Sequence, residues 1–294
     1  MTNSPIVAVI GIGGIQNQAI ARELAQNGFR IRGIGRSRHT SIPSSICPEY
    51  RQVDPDSRTE LTEALRGAEV VVVTSPIDHR PGQRERLIET VVEAAGKAGT
   101  ARLVFNAAAA VFDDRTHPVA KVLGALSDAV LAGPVPATVL QPTVYMDNLI
   151  APWSLPSLVN DGVLAYPMPE NAPVSWISHR SLGQFVHAAA TRPVLGRVFR
   201  IGGPEALTGH AMAERLTRVM GRAVSYHRIP LPAFAEGINA AFGPPAGDDI
   251  AALYRTMEAE LAIMSRDPAE WRDLGVTPET FDDWAKRQAW KIAA

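Results

Sequence analysis

The residues with chemistry to offer begin at Gly11-Ile12-Gly13-Gly14-Ile15-Gln16-Asn17. A glycine directly after an apolar strand lets the chain turn at once. Gly14 carries no side chain, so an anion can lie against the backbone N–H groups where the next helix begins. That helix end adds unpaired donors and the positive end of its dipole, which together grip a pyrophosphate. A second group stands in Gly35-Arg36-Ser37-Arg38-His39. A strand ending in Asp or Glu about 20 residues past such a turn would bind the ribose hydroxyls of NAD. No acid is present there, and Arg36 and Arg38 offer bidentate partners for a 2′-phosphate, which favours NADP(H). A solvated basic loop is the other reading of the two arginines.

These groups need a scaffold, and the chain supplies it in alternation. Val7-Ala8-Val9-Ile10 is the strand before the turn, and a helix follows with Ala19, Ile20, Leu24 and Ala25 at helical spacing and Gly28 as its stop. The spacing predicts a second strand over Phe29 to Ile34 and a third ending at Val53-Asp54. Asp54 then sits where adenine rims lie in such folds, or forms a turn. Asp56 or Ser57 caps a helix through Leu61, Ala64 and Leu65. Val70 to Val73 reads as a strand buried on both faces, ending in Thr74-Ser75-Pro76 beside the cofactor. A helix carrying Leu87, Ile88, Val91, Val92 and Ala95 leads to the strand Leu103 to Phe105, then to Asn106 and the run Ala107 to Ala110. Helix Val119 to Leu131 and strand Thr138 to Leu140 complete the series. Such alternation predicts an α/β fold, a Rossmann-like doubly wound parallel sheet with right-handed crossovers.

From Pro142 the texture changes, with Tyr145, Trp153, Tyr166 and Trp176 set among prolines. Ser178 begins a helix, and residues near 197–202 return to the main sheet as a last strand. Thr208 caps a further helix. Others follow near 248–264 and from Thr277, the last carrying Trp284 and Trp290. The expected division is a nucleotide-binding domain over 1–155 and a smaller, mostly helical substrate-binding lobe over 156–294, with a cleft between them.

Composition narrows the partners. The chain has 294 residues, 46% of them hydrophobic, and a formal net charge of −1. No basic excess points to nucleic acid or an anionic membrane. No apolar run nears the roughly 18 residues that a membrane span needs. The single Cys47 fits a reducing cytoplasm, and the first fifteen residues lack the basic leader of a signal peptide. The expected partner is a small molecule, and the expected state a monomer or homodimer. No His/Cys/Asp/Glu cluster has metal-ligand spacing, and no Gly-x-Ser-x-Gly elbow occurs.

Four segments together resemble the NmrA-like family of atypical short-chain dehydrogenases. The turn from Gly11 to Asn17 is similar to that family's Gly-x-x-Gly-x-Gln-Gly. Arg36 sits where its members hold the NADP phosphate. Leu140-Gln141-Pro142-Thr143-Val144-Tyr145-Met146-Asp147-Asn148 resembles its Leu-Arg-Pro-x-x-Phe-x-Glu-Asn segment, and Ile201-Gly202-Gly203-Pro204-Glu205-Ala206-Leu207-Thr208 resembles its Gly-Pro-Glu-Ala-Leu-Thr stretch. The likeness runs over nearly the whole chain. It implies NADP(H) binding with either reduction of a quinone or enone or a redox-sensing regulatory role. Two positions depart from the pattern. Asn17 replaces the last glycine, which is expected to crowd helix against strand and to loosen or move the cofactor. Gln141 replaces the usual arginine.

Classical short-chain dehydrogenases protonate the reducing carbonyl with the tyrosine of a Tyr-x-x-x-Lys pair, helped by an upstream serine. This chain has no such pair, and Ala107 to Ala110 stands where the serine would be. His117-Pro-Val-Ala-Lys121 keeps the spacing with histidine in place of tyrosine, as some NmrA-like members do. Lys121 would hold the ribose, and His117, with an ordinary pKa near neutrality, would donate a proton to a quinone oxygen or an enolate. A His-Pro loop before an exposed helix lysine is the alternative. Tyr145 is a candidate acid or substrate contact, or packs under the second lobe. Asn148, Trp153, Trp176 and His179 are candidate cleft liners, although a tryptophan placed like Trp176 is more often core. The leading expectation is an NADPH-dependent oxidoreductase of a conjugated small molecule. The alternatives are a catalytically silent NADP(H)-sensing protein and a redox-neutral isomerase or cyclase.

Overall fold

Val70 to Val73 pairs in parallel with Val7 to Ile10, residue for residue, at the centre of the sheet. Continuous β-branched runs of this kind are stable only where helices cover both faces. The computed structural model describes residues 4–37, 42–76, 80, 82–110, 115 and 118–291. The described elements run β1 (Ile6–Ile10), α1 (Ile15–Gln26), β2 (Arg30–Gly35), β3 (Glu49–Gln52), α2 (Arg58–Leu65), β4 (Val70–Thr74), α3 (Gln83–Ala98), β5 (Arg102–Asn106), α4 (Pro118–Leu131), β6 (Ala137–Pro142), α5 (Leu155–Asp161), β7 (Val163–Tyr166), α6 (His179–Thr191), β8 (Arg197–Ile201), α7 (Gly209–Met220), β9 (Ser225–Arg228), α8 (Leu231–Phe242), α9 (Ala246–Ala259) and α10 (Phe281–Lys286). Seven strands form the main sheet in the order β3-β2-β1-β4-β5-β6-β8. This is the Rossmann order with one strand added. β8 joins β6 in parallel, since Gly196 N–H donates to the Ala137 carbonyl (2.7 Å) at one end and Thr143 N–H to Ile201 (3.0 Å) at the other.

Alternation along the strands builds two cores. Ala8, Ile10, Val71, Val73, Leu103, Phe105 and Val139 share one cluster with the inner faces of α2, α3 and α4. Val7, Val9, Val72 and Val104 belong to the other face and are fully buried, and there α1 packs on α6. Each such side chain contributes about 1.5–3 kcal/mol on leaving water. Ser57, one of the two residues expected to cap α2, accepts from Glu60 N–H at 3.4 Å. Arg32 ends the same helix from below. Its guanidinium donates to the Ala64 and Arg66 carbonyls at 3.0 and 2.7 Å and pairs with Glu49 at 3.0 Å. Burial pushes the Glu49 carboxyl up, but Arg32 and Arg51 outweigh it and hold the pKa below the ordinary value.

Packing divides the chain into two units. One comprises Met1–Pro142, His179–Arg200 and Ala269–Val276; the other comprises Thr143–Ser178, Ile201–Pro268 and Thr277–Ala294. The boundary therefore falls at 142/143 and not at 155/156. Helix α6 and residues 269–276 group with the sheet because Phe185 of α6, itself fully buried, meets the Trp271 ring edge to face at 5.8 Å. The second unit carries a two-stranded parallel sheet of β7 and β9, with Val163 beside Ser225 and Tyr166 beside Arg228. Sequence patterning did not show either strand, nor α5 and α8. Trp290 lies beyond α10, not on it, and its indole N–H donates to the Ala285 carbonyl at 3.0 Å.

The second unit is centred on Tyr166. Trp176 meets its ring edge to face at 5.2 Å, and Phe234 and Tyr254 lie 6.1 and 5.7 Å away. The Tyr166 and Tyr254 hydroxyls share a hydrogen bond, and Asn148 Nδ2 donates to Tyr166 at 3.1 Å. Among the described residues no helix is long and apolar enough to cross a membrane, and no group of His, Cys, Asp and Glu could hold a metal ion.

Two outcomes follow from this packing. A Cβ placed on Gly203 would lie 1.9 Å from the Trp176 carbonyl oxygen, which is backbone and cannot step aside. Gly203→Ala should therefore cost about 1–3 kcal/mol or more in urea unfolding; an unchanged midpoint would contradict the close approach. The second outcome concerns alkaline pH. Burial pushes the Tyr166 hydroxyl up to about 12, against hydrogen bonds from Tyr254 and Asn148 that pull it down. Burial also raises Tyr254. The unfolded chain then loses these protons first, so stability that is level below pH ~10 should fall between pH ~10 and ~12. Tyr166→Phe combined with Tyr254→Phe should make that fall shallower, Tyr226 keeping a remainder because burial raises its hydroxyl too, and an identical alkaline slope in variant and wild type would refute the assignment.

Candidate functional site at the carboxyl ends of β1, β4 and β5

The strand order reverses between β1 and β4, and at such a switch point the loops part and leave a crevice at the carboxyl ends. Leaving β1, the chain turns at Gly11, whose φ of +72° suits glycine. Its N–H and that of Ile12 donate to the Ile34 carbonyl of β2 at 2.8 and 3.3 Å. Gly14 N–H then donates back to the Gly11 carbonyl at 2.9 Å. Gly14 is the N-cap of α1, and no side chain caps that helix. The first-turn amides therefore have no intrahelical acceptor, and the dipole adds positive potential. Gly11 and Gly14 are exposed, and a Cβ on Gly14 would press on the Gly11 carbonyl at 3.4 Å. Ile15 beside them is 70% exposed, although it is a large apolar residue. An uncapped helix N-terminus with an uncovered apolar neighbour fits a ligand with a diphosphate and a nonpolar face.

Asn17 ties this turn to the ends of β1 and β4. It is buried, and its Nδ2 donates to the Ile10 and Gly11 carbonyls at 3.0 and 2.9 Å. Its Oδ1 accepts from Thr74 Oγ1 at the end of β4, at 2.5 Å. Asn106 is fully buried at the end of β5. Its Nδ2 donates to Gln16 Oε1 at 2.9 Å and to Thr74 Oγ1 at 3.4 Å, and its Oδ1 accepts from Ala108 N–H at 3.0 Å. Ala108 has a φ of +63°, alone among the described non-glycine residues in that region. Ser75 N–H donates to the Asn106 carbonyl at 2.8 Å, and Pro76, half-buried, follows. The structure thus brings together Gly11 to Asn17, Thr74, Ser75 and Asn106.

The other candidates are distributed more widely. Arg36 is exposed just past β2, and the Tyr50 hydroxyl donates to the carbonyl of the next residue, Ser37. Arg38 and His117 lie outside the described residues. Asp54 makes a turn: its Oδ1 accepts from Asp56 N–H at 3.1 Å, and its own N–H donates to Glu60 at 3.2 Å. Lys121 is exposed on α4. His179 is buried at the start of α6 in the first unit.

Tyr145, Asn148, Trp153 and Trp176 all fall in the second unit. Tyr145 is buried where its backbone bridges to Ile177. Asn148 serves Tyr166, as above. Trp176 is core, its indole N–H donating to the Leu207 carbonyl at 3.3 Å. Trp153 stacks at a tilt on exposed Phe242, 5.4 Å between centroids.

Known proteins place this arrangement. Over 288 residues, 97% of this chain and 98% of the relative, it is 26% identical to a (4-alkanoyl-5-oxo-2,5-dihydrofuran-3-yl)methyl phosphate reductase of Streptomyces griseus. Its fold matches an NADPH-dependent quinone oxidoreductase of Escherichia coli, solved with NADPH, at a TM-score of 0.75 and 19% identity, covering 95% of this chain and 98% of that one. It also matches a Citrobacter triphenylmethane reductase solved with NADP(H), at a TM-score of 0.75 and 19% identity, covering 96% and 99%. The sequence pattern of the NmrA-like family matches residues 3–285, through the nucleotide turn and both units, and the chain belongs to that family.

Proposed function

We propose that the protein is an NADPH-dependent reductase of a conjugated small molecule, a quinone or an enone. The observation that carries this reading is the uncapped N-terminus of α1 after the Gly11–Gly14 turn, with exposed Arg36 at the end of the neighbouring strand and no acid there. The amides suit a pyrophosphate, and Arg36 suits a 2′-phosphate through paired N–H donors. Thr74, Ser75 and Asn106 border the place where a nicotinamide ribose would extend. Bound there, the cofactor supplies a hydride.

The chain's own part in the reaction is to seat and orient. It has no Tyr-x-x-x-Lys pair, and Ala107 to Ala110 brings no hydroxyl to the end of β5. Such a site suits an acceptor whose conjugation spreads the negative charge left by hydride addition, so that no strong acid has to meet an isolated alkoxide. The relatives support the same class. The Streptomyces enzyme is named for a dihydrofuranone bearing an alkanoyl group, a ring double bond conjugated to carbonyls. Lys121 and His117 remain the proposed ribose contact and proton donor. A second reading, a protein that senses the NADPH/NADP⁺ ratio without turnover, draws on the same missing tyrosine.

Steady-state NADPH oxidation with quinones, enones and saturated ketones separates the two. Turnover is expected with the conjugated acceptors and not with the ketones. Folded protein that binds NADPH yet consumes none with any acceptor would leave the sensing reading in possession. Arg36→Ala should weaken NADPH binding about tenfold in calorimetry, a loss of about 1.4 kcal/mol, and leave NADH unchanged. Equal effects on both nucleotides would remove Arg36 from the phosphate site.

A further inference from the structure

A buried carboxamide leaves little choice of partner. Asn17 Nδ2 faces two carbonyls, Ile10 and Gly11, so its Oδ1 must point the other way and must meet a donor. Thr74 is that donor. Having given its hydroxyl proton to Asn17, Thr74 Oγ1 can only accept from the next member, Asn106 Nδ2. Asn106 Nδ2 also donates to Gln16, and its Oδ1 takes the N–H of Ala108. The bonds thus run in one direction, from the Ala108 amide through Asn106 and Thr74 to the carbonyls of the turn. Hydrogen bonds in such a chain polarise and strengthen one another.

The two ends of the chain fall on the two halves of the site. At one end, the Gly11 carbonyl receives both Gly14 N–H and Asn17 Nδ2. With that carbonyl engaged inward, the uncapped N-terminus of α1 is the surface that an anion meets. At the other end, Asn106 holds Ala108 at a φ that a side-chain-bearing residue rarely adopts. Thr74 is the only side-chain bridge among the described bonds between Asn17 and Asn106, and without its hydroxyl the turn keeps only the Gln16 Oε1 bond to Asn106.

We propose that Thr74, with Asn17 and Asn106, is a positioning residue that sets the phosphate turn and the Ala108 corner as one body, so that the diphosphate and the nicotinamide ribose are seated together. In this chain an asparagine linked to strand β4 takes the place that a glycine holds in the family pattern. The inference rests on the nucleotide-binding reading above and assigns that site a pair of matched residues.

The test is Thr74→Val, nearly equal in volume but without a donor, beside Thr74→Ser, which restores one. NADPH binding by calorimetry should weaken about tenfold in Thr74→Val and stay near wild type in Thr74→Ser. Amide hydrogen exchange without nucleotide should quicken at residues 11–17 and at 107–110 together. The double variant Asn17→Gly/Thr74→Val should bind no worse than Asn17→Gly alone, since the bond is already gone. Should Thr74→Val not fold, Asn17→Gly carries the exchange measurement, with faster exchange expected at Ala108 although that residue does not touch Asn17. Wild-type affinity in Thr74→Val, additive losses in the double variant, or exchange confined to one segment would each overturn the proposal. Wild-type protein that binds neither NADPH nor NADH would instead overturn the nucleotide reading itself, and this inference with it.

Discussion

The demand that a buried amide satisfy all of its hydrogen-bonding sites organises the nucleotide end of this protein. An unpaired carboxamide oxygen in the interior costs on the order of 1–3 kcal/mol, enough to exclude Asn17 unless something answers it. Thr74 does so from the end of β4, and Asn106 continues the link from the end of β5. The consequence is local rigidity at three strand ends that the sheet alone would not confer, since each strand is followed by its own loop. In many nucleotide turns a glycine lets helix and strand approach by absence of a side chain. Here the approach is kept by a side chain that replaces the missing contact with three bonds.

That chemistry depends in turn on burial from both sides. β1 and β4 hold the register that puts Ile10 beside Val73, and the turn residues leave the sheet from that register. The second unit uses a different solution. Its aromatic residues pack around Tyr166, whose hydroxyl is met by Tyr254 and Asn148, so that polar groups in an apolar centre pair with one another.

Much of the first unit was legible in the sequence because its signals are local. A run of valines, a glycine after a strand, and helices with apolar faces each announce themselves within a dozen residues, and β1 to β6 and their alternation with helices follow from them. The return strand β8 was legible from Val198-Phe199-Arg200-Ile201 for the same reason. The second unit hid its strands because β7 and β9 have four residues each and pair with one another across some sixty residues of intervening chain. The boundary at 142/143 was hidden as well, since just past it Val144 and Met146 bond to Ile177, a partner distant in sequence. Asn17 is the clearest limit. Read locally it looks like crowding; its partner lies 57 residues away, and only the fold reveals that the two match. Asn148 was singled out for its position, while its actual bond to Tyr166 depends on a strand that patterning could not locate.

The chain passes from one unit to the other at residues 142, 178, 200, 268 and 276. Neither unit can therefore be cut out as a continuous fragment. During synthesis the valine-rich face of the sheet awaits α6 until the ribosome has released residues near 191, and Trp271 arrives only after most of the second unit has been made. A nascent chain of this design exposes apolar surface over most of its translation. Shortened forms should therefore be clients of chaperones more than free-standing domains.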